Sequence, residues 1–526
     1  MSENTSIIWS PSRELSAMEV RICKRLKRTG RLFAFLRRHR HELFDEEFQR
    51  ELASMYSDRP RGTRPRPPAL LAMVTLLQAY EQKSDAAAVE EAVFDRRWQM
   101  VLDGLDAESP LFSQGSLVDF RRRLIEHDMD RRLVDRTVEL ARKTGDFGHT
   151  QLRVALDSAP LWGAGRVEDT FNLIGHALEV VVECAASVSG MPVADVRQAA
   201  DLKLVGQSSL KAALDIDWDD SDEQRDALQR LLAEVDKLRA WLRDQLADVC
   251  DVPPLSEALA LLAQVIEQDL EPDPDGPGSR IKRGVSRNRR ISISDGEMRH
   301  GRKSRSRVIN GFKRHVMLDL DSGLILGATV RGANEPEHRA ASELREDAKR
   351  HGTVVELAVD RGYLASEWAS ELHDAGSVVL SKPWRPTNGG RYTKDDFNID
   401  LESMTVECPA GQVAKVKASG TARFSSDGCD ACSRREMCTR ARTGRGRSIS
   451  LHRQEGLLIE LRSLKKTSQG REKLRERVAV EHALAHVCRR QGPKARYRGV
   501  RKNTFDVRRT VAVENLHVAE RMKRAA

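Results

Sequence analysis

Long apolar runs are missing from this chain of 526 residues. The longest, ALEVVVECAASV (177–188), falls short of the roughly 20 apolar residues that span a bilayer. The opening residues, MSENTSIIWSPSRELS, lack the basic-then-apolar order of a secretory signal. Cysteine is sparse, with 8 in all. Without a signal sequence, these are expected as reduced thiols or a metal site, not as a disulfide framework. A soluble cytoplasmic protein with no membrane partner is therefore expected. The 14 histidines contain no HExxH pattern, which excludes that zinc-hydrolase signature. GEMRHGRKS (296–304) fails as a phosphate loop, because Arg302 intrudes between Gly301 and Lys303 and no strand pattern precedes it.

Charge and helical periodicity are what the chain does have. Lysine and arginine (88) outnumber aspartate and glutamate (79), giving a net charge of +9 and a pI near 9.2. That balance suits a polyanionic partner. The length and a hydrophobic content of 40% suffice for several cores, about three or four domains. Residues 16–60 carry a basic run, followed by a Pro/Arg hinge, DRPRGTRPRPP (58–68), and the helix-like segments ALLAMVTLLQAYEQ and DAAAVEEAVFDRRWQMVL. SLVDFRRRL (116–124) lies in an amphipathic helix capped by Ser113 or Ser116. A second helical block, about 165–270, places Leu228, Leu231, Leu232, Val235, Leu238 and Leu242 on one face. EPDPDGPGSRIKRGVSRNRR (271–290) reads as a flexible basic linker.

Strand signals raise the question of three carboxylates. LRVALDSAP (152–160) alternates as a strand and is expected to stop at Asp157. GFKRHVMLDLDSGLILGATV (311–330) reads as two strands joined at Asp321-Ser322-Gly323, and TVVELAVDRGY (353–363) as a strand ending at Asp360. A helix is expected from Arg471 to Arg490, closed by Gly492-Pro493, with Glu481 on or beside its apolar face. Burying a carboxylate unpaired is costly. Two aspartates at strand ends and a glutamate on a packed helix make an all-oxygen set suited to Mg²⁺ or Mn²⁺. Two such ions about 4 Å apart serve phosphodiester chemistry. The plainer alternative is that each is a turn former or a solvated side chain.

Four blocks carry a resemblance. ALDSAPLWGAGRVEDT (155–170), NGFKRHVMLDLDSGLILGATVRGANEPE (310–337), LAVDRGY (357–363) and the stretch from RVAVEHALAHVCRRQG to HVAERM (477–522) resemble, in order, bacterial insertion-sequence transposases of the DDE class. The helices of about 40–125 resemble the N-terminal domain of that group. The resemblance implies a mixed α/β fold: an RNase H-like core interrupted by insertions and preceded by an all-α DNA-binding domain. The implied division is 1–145 helical and DNA-binding, 150–160 first core strand, and 165–275 helical insertion. A basic linker (276–308), further core (309–400), a Cys-rich insertion (401–465) and the part with the Glu helix (466–526) follow. Asp157, Asp360 and Glu481 are implied as the catalytic, metal-holding triad, with two Mg²⁺ (or Mn²⁺) ions. In the family's Tyr-x2-Arg-x3-Glu-x6-Lys signature Arg477 fits, and it is implied as a DNA contact. Leu474 and Cys488 stand where Tyr and Lys would be. The lysine's grip on terminal DNA is then expected from Lys494, Arg496 or Lys502. Asn334 and Arg361 resemble residues near the active centre, Arg361 as a phosphate contact. Implied partners are the element's terminal inverted repeats and target DNA, bound by a homo-oligomer, a dimer or higher, at the bacterial nucleoid.

Cys408, Cys429, Cys432 and Cys438 follow a C-x20-C-x2-C-x5-C pattern in a segment poor in large apolar residues, which suits a structural Zn²⁺. Clustered free thiols are the alternative. Cys23, Cys184, Cys250 and Cys488 are scattered and expected as buried side chains. His482 and His486, one turn apart beside Glu481, are expected as a surface pair. Expected DNA contacts are Arg121, Arg122 and Arg123 on a major-groove helix, with Lys303 as a second basic site. Two functions compete: a transposase that cleaves element ends and transfers strands, and a catalytically inactive DNA-binding regulator descended from one. A plain metal-dependent nuclease is a third reading. An intact triad favours the first, since a retired site has no need of three converging carboxylates.

Overall fold

The computed structural model describes residues 7–27, 30–56, 65–145, 148–207, 209–274, 276–302 and 306–525. Most of the Pro/Arg hinge and Lys303 lie outside the described residues. The N-terminal part is helical: α1 (Arg31–Leu43), α2 (Pro68–Glu81), α3 (Gln114–Glu126) and α4 (Met129–Gly145) are its longer members. A proline opens α2, where its missing N–H costs nothing, and the helix is buried along most of its length. DAAAVEEAVFDRRWQMVL, expected as one helix, breaks at Asp95, whose carboxylate accepts from the Arg97 N–H and caps a second helix, Arg96–Leu102. Of the two candidate caps for α3, Ser113 takes the role, accepting from the Ser116 N–H.

The core sheet follows. Its strands are β1 (Gln151–Trp162), β2 (Arg299–Arg302), β3 (Val308–Asp319), β4 (Ile325–Gly332), β5 (Thr353–Val359) and β6 (Val378–Ser381). The order is β4-β3-β1-β5-β6, with β2 extending the same edge of β3. β3 runs antiparallel to β1 and β4, whereas β1, β5 and β6 are mutually parallel. This is the mixed sheet expected of an RNase H-like core. Val354, Leu357, Ala358 and Val359 make β5 almost wholly apolar and buried, as a parallel strand covered on both faces requires.

Three departures from the sequence expectations have physical causes. First, the N-terminal helices do not form a core of their own. One continuous apolar core runs from Trp9 through α2 and the sheet to Ala519. Its keystone is the C-terminal helix Val500–Ala525, where Arg508 meets Asp130 at 3.1 Å with both side chains buried. Periodicity shows that a helix has an apolar face but not what that face meets. Second, the expected linker 276–308 is partly ordered into strands. Ser279–Ile281 pairs with Leu270–Pro272, β2 pairs with β3, and Ile291 and Met298 are buried. Pairing edges offered elsewhere in the fold override its Gly/Pro content. Third, the helix around ALEVVVECAASV, α5 (Thr170–Ser189), is long and apolar enough to cross a membrane by length and composition, because TFNLIGH extends the run. In the fold it is the centre of a separate helical core with α6 (Ser221–Gln245) and α7 (Leu255–Asp269).

Beyond β6, short strands Asn398–Asp400 (β7), Thr405–Glu407 (β8), Val413–Lys415 (β9), Thr421–Arg423 (β10) and Ser448–Ser450 (β11) build a small unit with its own core, including Phe397, Phe424 and Ile449. Four helices then close the molecule: Glu455–Lys466, α8 (Ser468–Glu476), α9 (Val478–Gln491) and α10 (Val500–Ala525). The helix expected over Arg471–Arg490 is thus two, broken at Arg477.

Candidate active site

β1 does not stop at Asp157. It continues to Trp162 because β3 pairs with it along the whole stretch, Asp157 lying opposite Val316. Alternation ends after Asp157 all the same, since Ser158, Ala159 and Pro160 are held by the partner strand and not by apolar burial. The pairing with β5 does stop there. Its last pair is Ala155 with Ala358, so from there to Trp162 one edge of β1 is open and Pro160 is tolerated. Two residues further along each parallel strand stand Asp157 and Asp360. The register therefore sets them side by side where the sheet opens, at the carboxyl end of β5, the position where sheets of this kind meet ligands.

Glu481 arrives on α9. It lies in the first turn, where the helix dipole favours a carboxylate, while Val480, Leu484 and Val487 bury the opposite face. Two ion pairs hold the preceding helix α8 to the sheet. The buried Glu356 of β5 takes Arg153 of β1 at 3.1 Å and Lys473 of α8 at 2.8 Å. Arg153 also pairs with Glu476. After α9, the Trp162 N–H donates to the Pro493 carbonyl at 2.9 Å, and Trp162 accepts in turn from the Ala495 N–H at 2.6 Å. The helix is thereby fastened at both ends to the strand that bears Asp157.

Arg477, at the break between α8 and α9, bridges the carboxylates. It hydrogen-bonds Glu481 and sits 3.7 Å from Asp157 Oδ1. Burial pushes the Asp157 carboxyl above its ordinary pKa, and the charges of Glu481 and Asp360 add to that. The Ser158 N–H, 2.9 Å from Oδ1, and Arg477 oppose it. Asp360 and Glu481 are therefore within electrostatic reach of Asp157.

Several residues of this site were not legible in the sequence. Ser158 Oγ donates to Glu337 Oε1 at 2.5 Å. Glu337 lies so close to Gly362 that a Cβ there would stand 1.9 Å from Oε2, so a larger residue two positions after Asp360 would push the Glu337 carboxylate away from Ser158. The wholly buried Tyr363 meets His315 Nδ1 at 2.6 Å through its hydroxyl. Burial lowers the His315 pKa to about 3, so the ring stays neutral. Asp360 and Glu481 share a cleft of about 420 Å³ with Lys382, Lys465, Arg471, Arg475 and Arg477. The charge run KKTSQGREKLRER (465–477) was the available signal for these cations.

The expected DNA contacts divide. Arg121 is not free: it makes a bidentate pair with Asp85 at 3.0 and 2.7 Å and stacks on Tyr497. Arg123 stacks on Tyr56. Arg122 is exposed and pairs with Glu126 and Asp119 on its own helix. Two of the three arginines assigned to a major-groove helix therefore hold the fold together, because their partners lie far away in sequence. Arg361 donates to the Lys382 carbonyl at 2.8 Å and lies over Trp384. Arg496 donates to the carbonyls of Lys83 and Gln82, whereas Lys494 and Lys502 are exposed. Asn334 donates to the Arg287 carbonyl and to Asn288. His482 and His486 are exposed and line a separate hollow with Asn515.

Cys408, Cys429, Cys432 and Cys438 line one cavity of about 20 Å³ in the small unit. Cys23, Cys184, Cys250 and Cys488 lie elsewhere and are half-buried. Among the described residues, His149, Asp319 and Asp321 bring ligand atoms within 4.8 Å of one another. There Asp319 already accepts from the Ser322 N–H and Arg153 pairs with Asp321, which accounts for both carboxylates as turn and ion-pair groups.

Two family models match the chain. One described as "Transposase DDE domain" covers residues 402–519, and one described as "Transposase domain (DUF772)" covers residues 25–123. The first includes Glu481 and all four clustered cysteines, and the second includes α1, α2 and most of α3. No curated protein and no solved structure matches the chain.

Proposed function

We propose that the chain acts as a DDE-type transposase of an insertion sequence, a reading supported by the two transposase-domain matches over residues 25–123 and 402–519. On that reading it hydrolyses the phosphodiester at the ends of its element and uses the freed 3′-OH to attack target DNA. Asp157, Asp360 and Glu481 hold the divalent ions. The observation that supports this most is the register that sets Asp157 beside Asp360 at the opening of β1 from β5, with Arg477 joining Asp157 to Glu481.

The donor set fits the group: three carboxylates and no thiol or imidazole among them is the chemistry of Mg²⁺ or Mn²⁺. When bound, two such ions activate an attacking oxygen and stabilise a leaving one. The protein's own side chains do the rest. Arg477 keeps mutually repelling carboxylates together and places a guanidinium against the reacting phosphate. Lys382, Lys465, Arg471 and Arg475 lay cations along the cleft for the phosphate backbone, which fixes position without reading sequence. Ser158 with Glu337, and His315 with Tyr363, set the backbone around the two aspartates. Exposed Lys494 and Lys502 extend the basic surface beyond α9. End recognition falls to the N-terminal region, and the working assembly is a homo-oligomer on DNA in the bacterial cytoplasm.

The test is incubation of the full chain with Mg²⁺ and a duplex carrying the element's end, with cleaved and joined strands mapped. A 3′-OH at the element boundary and covalent joining to target are expected. Cleavage without joining would make the protein a nuclease. Binding without cleavage would make it a regulator.

A further inference from the structure

We propose that Cys408, Cys429, Cys432 and Cys438 hold one structural Zn²⁺ that organises the unit inserted between β6 and α8. This inference does not depend on the cleavage chemistry. The four thiols come from three separate places: the turn between β8 and β9, a short helix at Ser426–Asp430 with the turn after it, and the end of another at Arg435–Cys438. All four nevertheless line a single cavity of about 20 Å³, which is room for one small ion or one water. Among its lining residues no histidine or carboxylate competes for the position. A four-thiolate set is a closed structural site, in contrast to the open carboxylate set on the sheet.

The local backbone is shaped for such a role. Cys408 begins a tight turn in which its carbonyl accepts from the Gly411 N–H at 2.8 Å and its own N–H donates to the Gln412 carbonyl at 2.8 Å. Gly411 takes a φ of +80°, which glycine adopts without strain. Cys432 N–H folds back onto the Cys429 carbonyl at 3.3 Å. The Arg447 N–H points at Cys429 Sγ at 3.5 Å, the kind of outer contact that steadies an anionic sulfur. Four thiolates on a divalent cation leave two net negative charges, and Arg434, Arg435 and Arg447 line the same cavity. Arg435 is itself held by Asp430 at 2.7 Å and donates to the Ala441 and Arg442 carbonyls.

The unit also needs a further constraint. Its buried apolar residues are Phe397, Val406, Ala414, Ala422, Phe424 and Ile449, and two of these are alanines. Strands this short with so small a core are marginal alone, and a bound metal contributes its binding free energy to folding. The ion would close the base of the loop Thr439–Arg447, which presents the exposed Arg440, Arg442 and Arg445 to solvent.

The test uses the full chain purified without chelator. Elemental analysis should return one zinc per chain, and replacement by Co²⁺ should give the intense thiolate-to-cobalt absorption of a tetrahedral four-sulfur site. Cys429→Ser and Cys438→Ser should each lose the metal. Cys184→Ser and Cys488→Ser, outside the cluster, should keep it. Wild-type protein with substoichiometric zinc and four thiols that react freely in the native state would overturn the proposal. So would iron with acid-labile sulfide, or a disulfide among the four. These readouts on wild-type protein stand even if a cysteine variant fails to fold.

Discussion

The N-terminal helices and the α8–α9 segment are both rich in arginine, yet they use the charge in opposite ways. In the N-terminal region arginines turn inward. Arg40 is fully buried against Asp103 at 2.7 Å and the carbonyls of Met100 and Val101, Arg37 is buried against Glu19, and Arg136 reaches Asp45 at 2.6 Å. On α8, Arg471 stays exposed while donating to the carbonyls of Lys465 and Lys466, and Arg475 is exposed on the rim of the cleft. A basic composition therefore says little about where a polyanion binds. What matters is whether each cation already has a carboxylate, and that is set by tertiary pairing.

The sharpest contrast comes from the carboxylates on which the α8–α9 side converges. Asp157→Ala, Asp360→Ala and Glu481→Ala are each expected to reduce strand cleavage to background while leaving duplex binding in place, as read by mapped nicks and by binding titration. A variant that still cleaves near normally would remove that residue from the site.

Next in size is the inward-facing half of the comparison. Arg40→Ala leaves the two buried carbonyls of Met100 and Val101 without their donor, at about 1–3 kcal/mol each, while Asp103, a third exposed, is rehydrated at little cost. Denaturant melts should show that loss, while the salt dependence of DNA binding stays unchanged. If instead Arg40→Ala keeps its stability and flattens the salt dependence, the arginine faces DNA and the contrast fails.

The outward half is tested by Arg471→Ala combined with Arg475→Ala. Removing each cation from a phosphate should lower the slope of log affinity against log salt by about one. Melting should be unaffected, because both side chains are exposed.

The smallest expected effect is a pH dependence of the metal-free protein. Asp157 has its pKa raised, first by burial and then by Glu481 and Asp360, against Ser158 and Arg477. As pH rises from the usual carboxylate range through that raised value, the unfolded chain gives up its proton first, so the folded state loses stability. Asp157→Asn removes the penalty. In chelator, this variant should melt above the wild type at neutral pH and level with it in acid.

The elements of the catalytic core were largely legible because their signals are local. The hairpin around Asp321-Ser322-Gly323, the apolar strand before Asp360 and the apolar face opposite Glu481 each announce themselves within one short window. What stayed hidden depends on distant partners. The continuation of β1 past Asp157 needs β3, whose Val316 comes from far along the chain. The inward turn of Arg121 needs Asp85 and Tyr497. Glu337 joins the site only through Ser158 and the bare backbone at Gly362. The break at Arg477, which turns its guanidinium to Asp157, has no helix-breaking residue to mark it.

If the carboxylates from β1, the end of β5 and α9 act as one metal site, each must be needed for ion binding. Bound Mn²⁺ can be counted by electron paramagnetic resonance in the wild type and in Asp157→Asn, Asp360→Asn and Glu481→Gln. Two bound ions are expected in the wild type, with tight binding abolished in every variant. Undiminished Mn²⁺ binding in any one of the three would dissolve the shared site.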